Sequence, residues 1–179
     1  QVGPDLGLGN ERKRMSLVKR VVDHSTAICL EIATVENRPL LGRLMQVYLS
    51  ELSELDKLEL NQDGSYKYEY FDHYWSEEGR FPFLFYVHGE VAGFVLVNSH
   101  SLDNKERVTK SIAEFFVLSE YRRKNIGRSV AFRIFGLFPG NWQVGEMTNN
   151  IDAQSFWRKV IAEYINGEFD EVVLNGDDW

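Results

Sequence analysis

The stretch "FPFLFYVHGEVAGFVLVN", residues 81–98, constrains the fold most. Two apolar, strand-forming runs flank His88-Gly89-Glu90, and that punctuation reads as a β-hairpin. A hairpin alone is barely stable in water and needs further elements packed against it. The run "TKSIAEFFVLSE", residues 109–120, supplies the next strand. It is apolar on both faces near its end, so it belongs in the middle of a sheet with cover on each side.

Helical patterns provide the cover. "ENRPLLGRLMQVYLSEL" reads as a helix with Asn37 as cap and Pro39 in its first turn. Leu41, Leu44, Met45, Tyr48, Leu52 and Leu55 fall on one face. Val130, Ala131, Ile134, Phe135 and Phe138 mark a second helix, stopped by Pro139-Gly140. "DAQSFWRKVIAEYI" is the clearest, with Ala153, Phe156, Trp157, Val160, Ile161, Tyr164 and Ile165 at helical spacing up to Asn166-Gly167. A short helix is expected around Tyr70 to Glu77 in an acidic, aromatic segment. Ile28–Thr34, "WQVGEMTN" and "FDEVVLN" read as further strands.

The order is an antiparallel half followed by βαβαβ. It predicts one mixed α+β domain of the α/β type over residues 21–179, with helices on both faces of the sheet. The stretch "QVGPDLGLGNERKRMS" has no apolar core, and residues 1–20 are expected to be a flexible extension or a processed leader. A hydrophobic content of 44% excludes disorder for most of the chain. A net charge of −7 argues against nucleic-acid or anionic-membrane partners, which need a broad basic face. It suits a cationic substrate. The single cysteine, Cys29, reads as a small buried hydrophobe in a reducing, cytoplasmic setting. His24, His73, His88 and His100 are scattered without metal-ligand spacing, so no metal is expected.

Against this acidic background, "YRRKNIGRS" gathers Arg122, Arg123, Lys124 and Arg128 around Gly127, between a strand and a helix. A helix start has unpaired N–H groups and partial positive charge, and a glycine lets a ligand approach its backbone. Guanidinium groups add bidentate grip on phosphate. The stretch reads either as a diphosphate cradle or as an ordinary basic turn.

The string "FFVLSEYRRKNIGRSVA" resembles the acetyl-CoA motif of the GNAT superfamily, the GCN-type N-acetyltransferases. That motif is R/Q-x-x-G-x-G/A at a helix start. Arg122 fills its first position, Asn125 replaces the first glycine and Gly127 fills the second. Asparagine tolerates left-handed backbone, so the loop can keep its shape. "NIDAQSFWRK" resembles the family pattern N-x-x-A-x-x-F-Y through Asn150, Ala153 and Phe156. "RFPFLFYV", "VAGFVLVN" and "AQSFWRKVI" resemble a little-characterised bacterial group of predicted acetyltransferases.

The resemblance implies a sheet of six to seven strands with about four helices, whose fourth and fifth strands splay apart around the pantetheine arm of acetyl-CoA. Phe115, Phe116, Val117 and Leu118 would line that arm. Arg122, Arg123, Lys124, Asn125, Ile126, Gly127, Arg128 and Ser129 would hold the diphosphate. Asn150, Ala153, Phe156 and Trp157 would contact the pantetheine. It implies direct acetyl transfer to the amine of a small molecule or protein, by a monomer or homodimer. Leu118 N–H would serve as oxyanion donor.

An alkylammonium must lose a proton before attack, and a carboxylate is the usual agent. Glu114, in a mostly apolar strand, is the first candidate base, against a solvated or paired Glu. Asp72, Glu51 and Glu54 are weaker candidates. Tyr48, Tyr70, Asp72 and Trp75 are expected around the acceptor. The family often has a tyrosine at the Trp157 position to protonate the leaving thiolate, and an indole N–H is no useful acid. Trp157 therefore keeps open a second reading, an acyl-CoA-binding sensor without turnover. Tyr121 and Tyr164 are read as packing or rim aromatics.

Overall fold

The computed structural model describes residues 21–23, 27–101 and 110–173. The expected extension 1–20 and His24 lie outside them. Six strands form one sheet in chain order: β1 Val21–Asp23, β2 Ile28–Ile32, β3 Arg80–Val87, β4 Glu90–Asn98, β5 Lys110–Val117 and β6 Trp142–Val144. β1 to β5 are antiparallel, and β6 runs parallel to β5. The helices are α1 Arg38–Leu52, α2 His73–Ser76, α3 Ile126–Leu137 and α4 Ile151–Ile165.

The mixed sheet, its helix count and the central position of β5 match expectation. β1 was not foreseen. The last expected strand is not formed over residues 169–173, and residues 174–175 lie outside the described residues.

Each sheet face has its own core. On one, Phe85, Val95, Val97 and Ile112 pack against Val130 and Ile134 of α3 and Trp157 and Val160 of α4. On the other, Leu84, Phe94, Leu96 and Phe116 pack against Leu41, Leu44, Met45 and Leu49 of α1 and Tyr74 of α2. From Phe94 to Val97 the even and odd residues of β4 thus serve opposite cores, which is why this stretch is apolar throughout.

The hairpin turn is the two residues His88 (φ +52°) and Gly89 (φ +88°), while Glu90 already pairs with Val87. Two positive φ values match the twist of the flanking strands. Asn37 does not cap α1 through its side chain. Its Oδ1 accepts instead from Thr34 N at 2.9 Å, closing the 3-10 turn Val35–Asn37.

Two irregularities shape the site. In the β4–β5 register, Leu96 faces Glu114 and Val97 faces Ile112, which leaves Ala113 as an extra residue. Such a bulge re-aims the side chains beyond it. Ile112 packs on the α3–α4 side, whereas Ala113 and Phe116 pack on the α1 side. Strict alternation would send Glu114 to the face of Ile112; the bulge turns it towards α1.

The second irregularity is the short pairing of β5 with β6, from Lys110–Trp142 to Ile112–Val144. Beyond Ile112, β5 keeps its partner β4 and has no paired strand on its other edge. This is the expected splay of the fourth and fifth strands, here β5 and β6 because β1 precedes them. Among the described residues, no helix is long and apolar enough to cross a membrane.

Candidate functional site

The open edge of β5 leads directly to the start of α3. Leu118 N–H donates to Ala92 O at 2.9 Å, so it belongs to the sheet. It is not available as the expected oxyanion donor. Successive peptide groups of a strand face opposite edges. With Val117 opposite Gly93 and Leu118 N–H on β4, the N–H and C=O of Val117 face the open edge.

At the α3 junction, Arg123 (φ +58°) and Asn125 (φ +60°) adopt left-handed backbone. Asn125 replaces the expected glycine and holds the conformation that asparagine tolerates. No side chain caps α3. The N–H groups of Ile126, Gly127 and Arg128 therefore form an uncapped positive helix end. Ser129 N–H is committed to Asn125 O at 3.0 Å and drops out of the expected set.

Gly127 has a packing reason of its own. A Cβ there would stand 3.2 Å from Phe156 Cζ and 3.5 Å from Val117 Cγ2. Its lack of side chain lets α3, α4 and β5 meet at one point.

The four cations divide into two pairs. Arg122 Nε donates to Val117 O at 2.7 Å, its Nη2 reaches Glu51 Oε2 at 2.6 Å, and its guanidinium lies over Phe116. Arg128 makes a two-point contact with Glu163 and covers Phe132. These two side chains are structural ties rather than free phosphate ligands. Arg123 and Lys124 are exposed at the loop tip with no ion pair among the described residues.

Asn150 is also a structural residue. Its Oδ1 accepts from Ala153 N at 3.2 Å and caps α4. Its amide NH2 is what remains for a ligand. Phe156 is half-buried beside Phe115, with ring centroids 5.9 Å apart. Trp157 is buried edge-on to Phe115 at 5.0 Å, a core residue of the α4 face.

Glu114 lies where the bulge aims it. Tyr48 of α1 donates to its Oε2 at 2.5 Å, and the Tyr68 hydroxyl also favours its ionised form. Burial pushes its pKa up to about 7, against the lowering effect of the two tyrosines. The residue as a whole is half-buried, so its carboxylate is desolvated beside an opening. The burial that raises the carboxyl, together with that carboxyl's charge, drives Tyr48 and Tyr68 well above the ordinary phenol range.

A second carboxylate escaped the sequence reading. Glu146 follows the last paired residue of β6 by two positions. Burial, with the charge of Glu114, pushes its pKa up to about 7, while the Trp157 indole pulls it down. A glutamate after a strand carries no signal in sequence. Its proximity to Glu114 follows from the splay.

The expected acceptor residues do not all assemble. Tyr48 reaches Glu114, and Tyr68, from the aromatic segment, joins it. Tyr70 is exposed and stacks near Arg80. Asp72 pairs with Arg38, and Trp75 Nε1 donates to Ala33 O at 3.1 Å. Glu51 is bound to Arg122 and Glu54 is exposed, so neither is poised as a base. A cleft of about 260 Å³ between α1 and the 61–72 segment is lined by Met45, Gln46, Tyr66, Tyr68, Glu69 and Phe71 among others. It shares Tyr68 with the Glu114 cluster.

Cys29 is buried, and Tyr164 packs at the rim against Phe132 and Phe135. Among the described residues, no cluster of His, Cys, Asp and Glu could hold a metal ion.

The fold is shared with solved acetyltransferases at low identity. An aminoglycoside acetyltransferase from an uncultured soil metagenomic sample superposes with a TM-score of 0.59 at 12% identity, covering 86% of this chain and 98% of its own. A ribosomal-protein-alanine N-acetyltransferase from Brucella melitensis biovar Abortus 2308 gives 0.55 at 12%, covering 84% and 99%. A GNAT-family acetyltransferase from Staphylococcus aureus Mu50 gives 0.53 at 18%, covering 74% and 82%. No curated protein matches the chain. The model of the acetyltransferase (GNAT) family matches residues 46–161, from mid-α1 through most of α4. With the splayed sheet and the α3 junction already in view, that match over more than half its length means that the chain belongs to the acetyltransferase (GNAT) family.

Proposed function

We propose that the protein transfers an acetyl group from acetyl-CoA directly to an amine. The observation that carries this reading is the continuity between an open strand edge, an uncapped helix start and a buried carboxylate. The N–H groups of Ile126, Gly127 and Arg128 would hold the diphosphate, with Arg123 and Lys124 adding charge at its rim. The Phe115 to Val117 edge would pair with the pantetheine amides. The donor set fits the group: N–H donors and free cations stand at the phosphate end, and backbone groups with Phe156 line the arm.

Acetyl-CoA bound there would supply the acetyl group as a thioester, already activated for transfer. The chain's own contribution is placement and proton handling. Glu114, half ionised near neutral pH, accepts a proton from an alkylammonium at the α1 side of the gap. Such acid–base help is worth roughly 10² to 10⁴ in rate. Val117 N–H faces the open edge and can polarise a carbonyl lodged there, the role once expected of Leu118 N–H.

The acceptor is a small or protein-borne primary amine. A carboxylate ringed by Tyr48 and Tyr68 favours a cationic one. A thiol-release assay with acetyl-CoA against a panel of amines tests the reading. Transfer to at least one amine, lost in Glu114→Gln, supports it. Binding of acetyl-CoA without transfer to any amine favours the sensor reading that buried Trp157 keeps in play.

A further inference from the structure

Arg122 is held at three points, and one of them lies on the edge that the reading above gives to the cofactor. The 3-10 turn Ser119–Tyr121 follows β5, and Arg122 N–H closes it on Ser119 O at 3.2 Å. From there the side chain folds back, and its Nε donates to Val117 O at 2.7 Å. That carbonyl points away from β4, because the N–H of the same peptide group, on Leu118, donates to Ala92 O across the sheet. The bond therefore lies on the open side of β5, past the last pair with β6 at Ile112–Val144. A ligand N–H that paired there as a strand would need its nitrogen about 2.7–3.2 Å from the same oxygen. Arg122 Nε already stands in that range.

The other two points keep it there. Arg122 Nη2 reaches Glu51 Oε2 at 2.6 Å, and the guanidinium lies 5.4 Å from the centre of the Phe116 ring. Glu51 is in the last turn of α1, and the chain just beyond that helix is anchored in turn, since Asn149 Nδ2 donates to Leu55 O at 2.8 Å. The acid thus grips Arg122 from a fixed place. The Arg122 and Glu51 side chains are nevertheless 42% and 44% exposed. An ion pair so open to water is weak, so a ligand can displace it.

We propose that Arg122 is a displaceable latch on the cofactor edge. It occupies the Val117 carbonyl in place of the pantetheine, Glu51 holds it there, and acetyl-CoA binds by pushing it aside. This rests on the transferase reading and adds to it a contact that works against binding. The latched arrangement does not offer Val117 O, so the apparent affinity is the intrinsic affinity reduced by the unlatched fraction. Loosening the latch raises that fraction. The same tie then stabilises the fold and opposes the ligand. A tie that only kept the edge in shape would have the opposite sign: its loss would weaken binding.

Two ligands separate the latch from general electrostatics. Acetyl-CoA is titrated by calorimetry into the wild type, Glu51→Gln and Glu54→Gln. Each variant removes one negative charge near the end of α1, but of the two Glu51 alone pairs with Arg122. Glu51→Gln should bind acetyl-CoA about 3-fold or more tightly than Glu54→Gln does. The second ligand is S-acetylpantetheine, the same arm without phosphates or charge, followed by NMR titration. Arg122→Ala should bind it about 3-fold or more tightly than the wild type does, although the variant unfolds at lower urea. Adding Glu51→Gln to Arg122→Ala should gain nothing further, because both changes open one latch.

Glu51→Gln that binds acetyl-CoA no more tightly than Glu54→Gln overturns the latch. So does Arg122→Ala that binds S-acetylpantetheine no more tightly than the wild type. Failure of the wild type to bind acetyl-CoA at all overturns the transferase reading and the latch with it.

Discussion

Tyr48 of α1 donates a hydrogen bond of 2.5 Å to Glu114 of β5, across 66 residues of sequence. It joins the helix on one face of the sheet to the strand whose far edge is open. The bond favours the ionised carboxylate and offsets part of the desolvation that raises its pKa.

Tyr48→Phe should therefore raise the Glu114 pKa further above about 7. The acidic limb of the rate profile should move to higher pH by roughly half a unit to one unit, with activity recovered at pH 8.5. A pH–rate profile of the variant checks this, and an unmoved limb would separate Tyr48 from the base.

The raised carboxyls also make stability depend on pH. Glu114 and Glu146 have pKa values of about 7 in the folded protein, against 4.5 ordinarily. Between those values the folded state binds more protons than the unfolded one, so stability falls as pH rises. The contribution is full below about 4.5 and lost above about 7. Glu114→Gln with Glu146→Gln should be more stable than the wild type at pH 8.5, by on the order of 2 kcal/mol. The difference should shrink at pH 5. Urea unfolding at the two pH values measures it.

The cations of the α3 junction should separate into two groups. Arg122→Ala removes the ties to Val117 O and Glu51 and should cost about 1–2 kcal/mol of stability. Arg123→Ala with Lys124→Ala should leave stability unchanged and weaken acetyl-CoA binding several-fold, with a smaller salt dependence. Denaturation and calorimetric titration distinguish these outcomes.

At position 125 the backbone conformation is the constraint. Asn125→Gly should be neutral or mildly stabilising, because glycine accepts φ +60° freely. Asn125→Val should destabilise by about 1–2 kcal/mol, since a β-branched residue resists left-handed backbone. Thermal melts of the two variants give opposite shifts if the left-handed cap is present.

Local patterns carried much of this architecture. The His88-Gly89 punctuation, the apolar rhythm from Ala153 to Ile165, and the basic turn with a glycine each depend on neighbours within a few residues. What escaped depends on distant ones. The bulge at Ala113 appears only when β5 is laid on β4, and it decides which face receives Glu114. Arg122 and Arg128 looked free because their partners, Glu51 and Glu163, lie 71 and 35 residues away. "WQVGEMTN" has the composition of a strand throughout, yet pairing stops at Val144. Asn150 matched a ligand-binding pattern and also met the simpler need of capping α4.

The most direct test of the account is a crystal structure of the protein grown with coenzyme A. The diphosphate should rest on the N–H groups of Ile126, Gly127 and Arg128, and the pantetheine should run along the Phe115–Val117 edge between β5 and β6. Coenzyme A bound elsewhere, or a gap that closes by pairing Glu114–Val117 with residues 145–149, would contradict it.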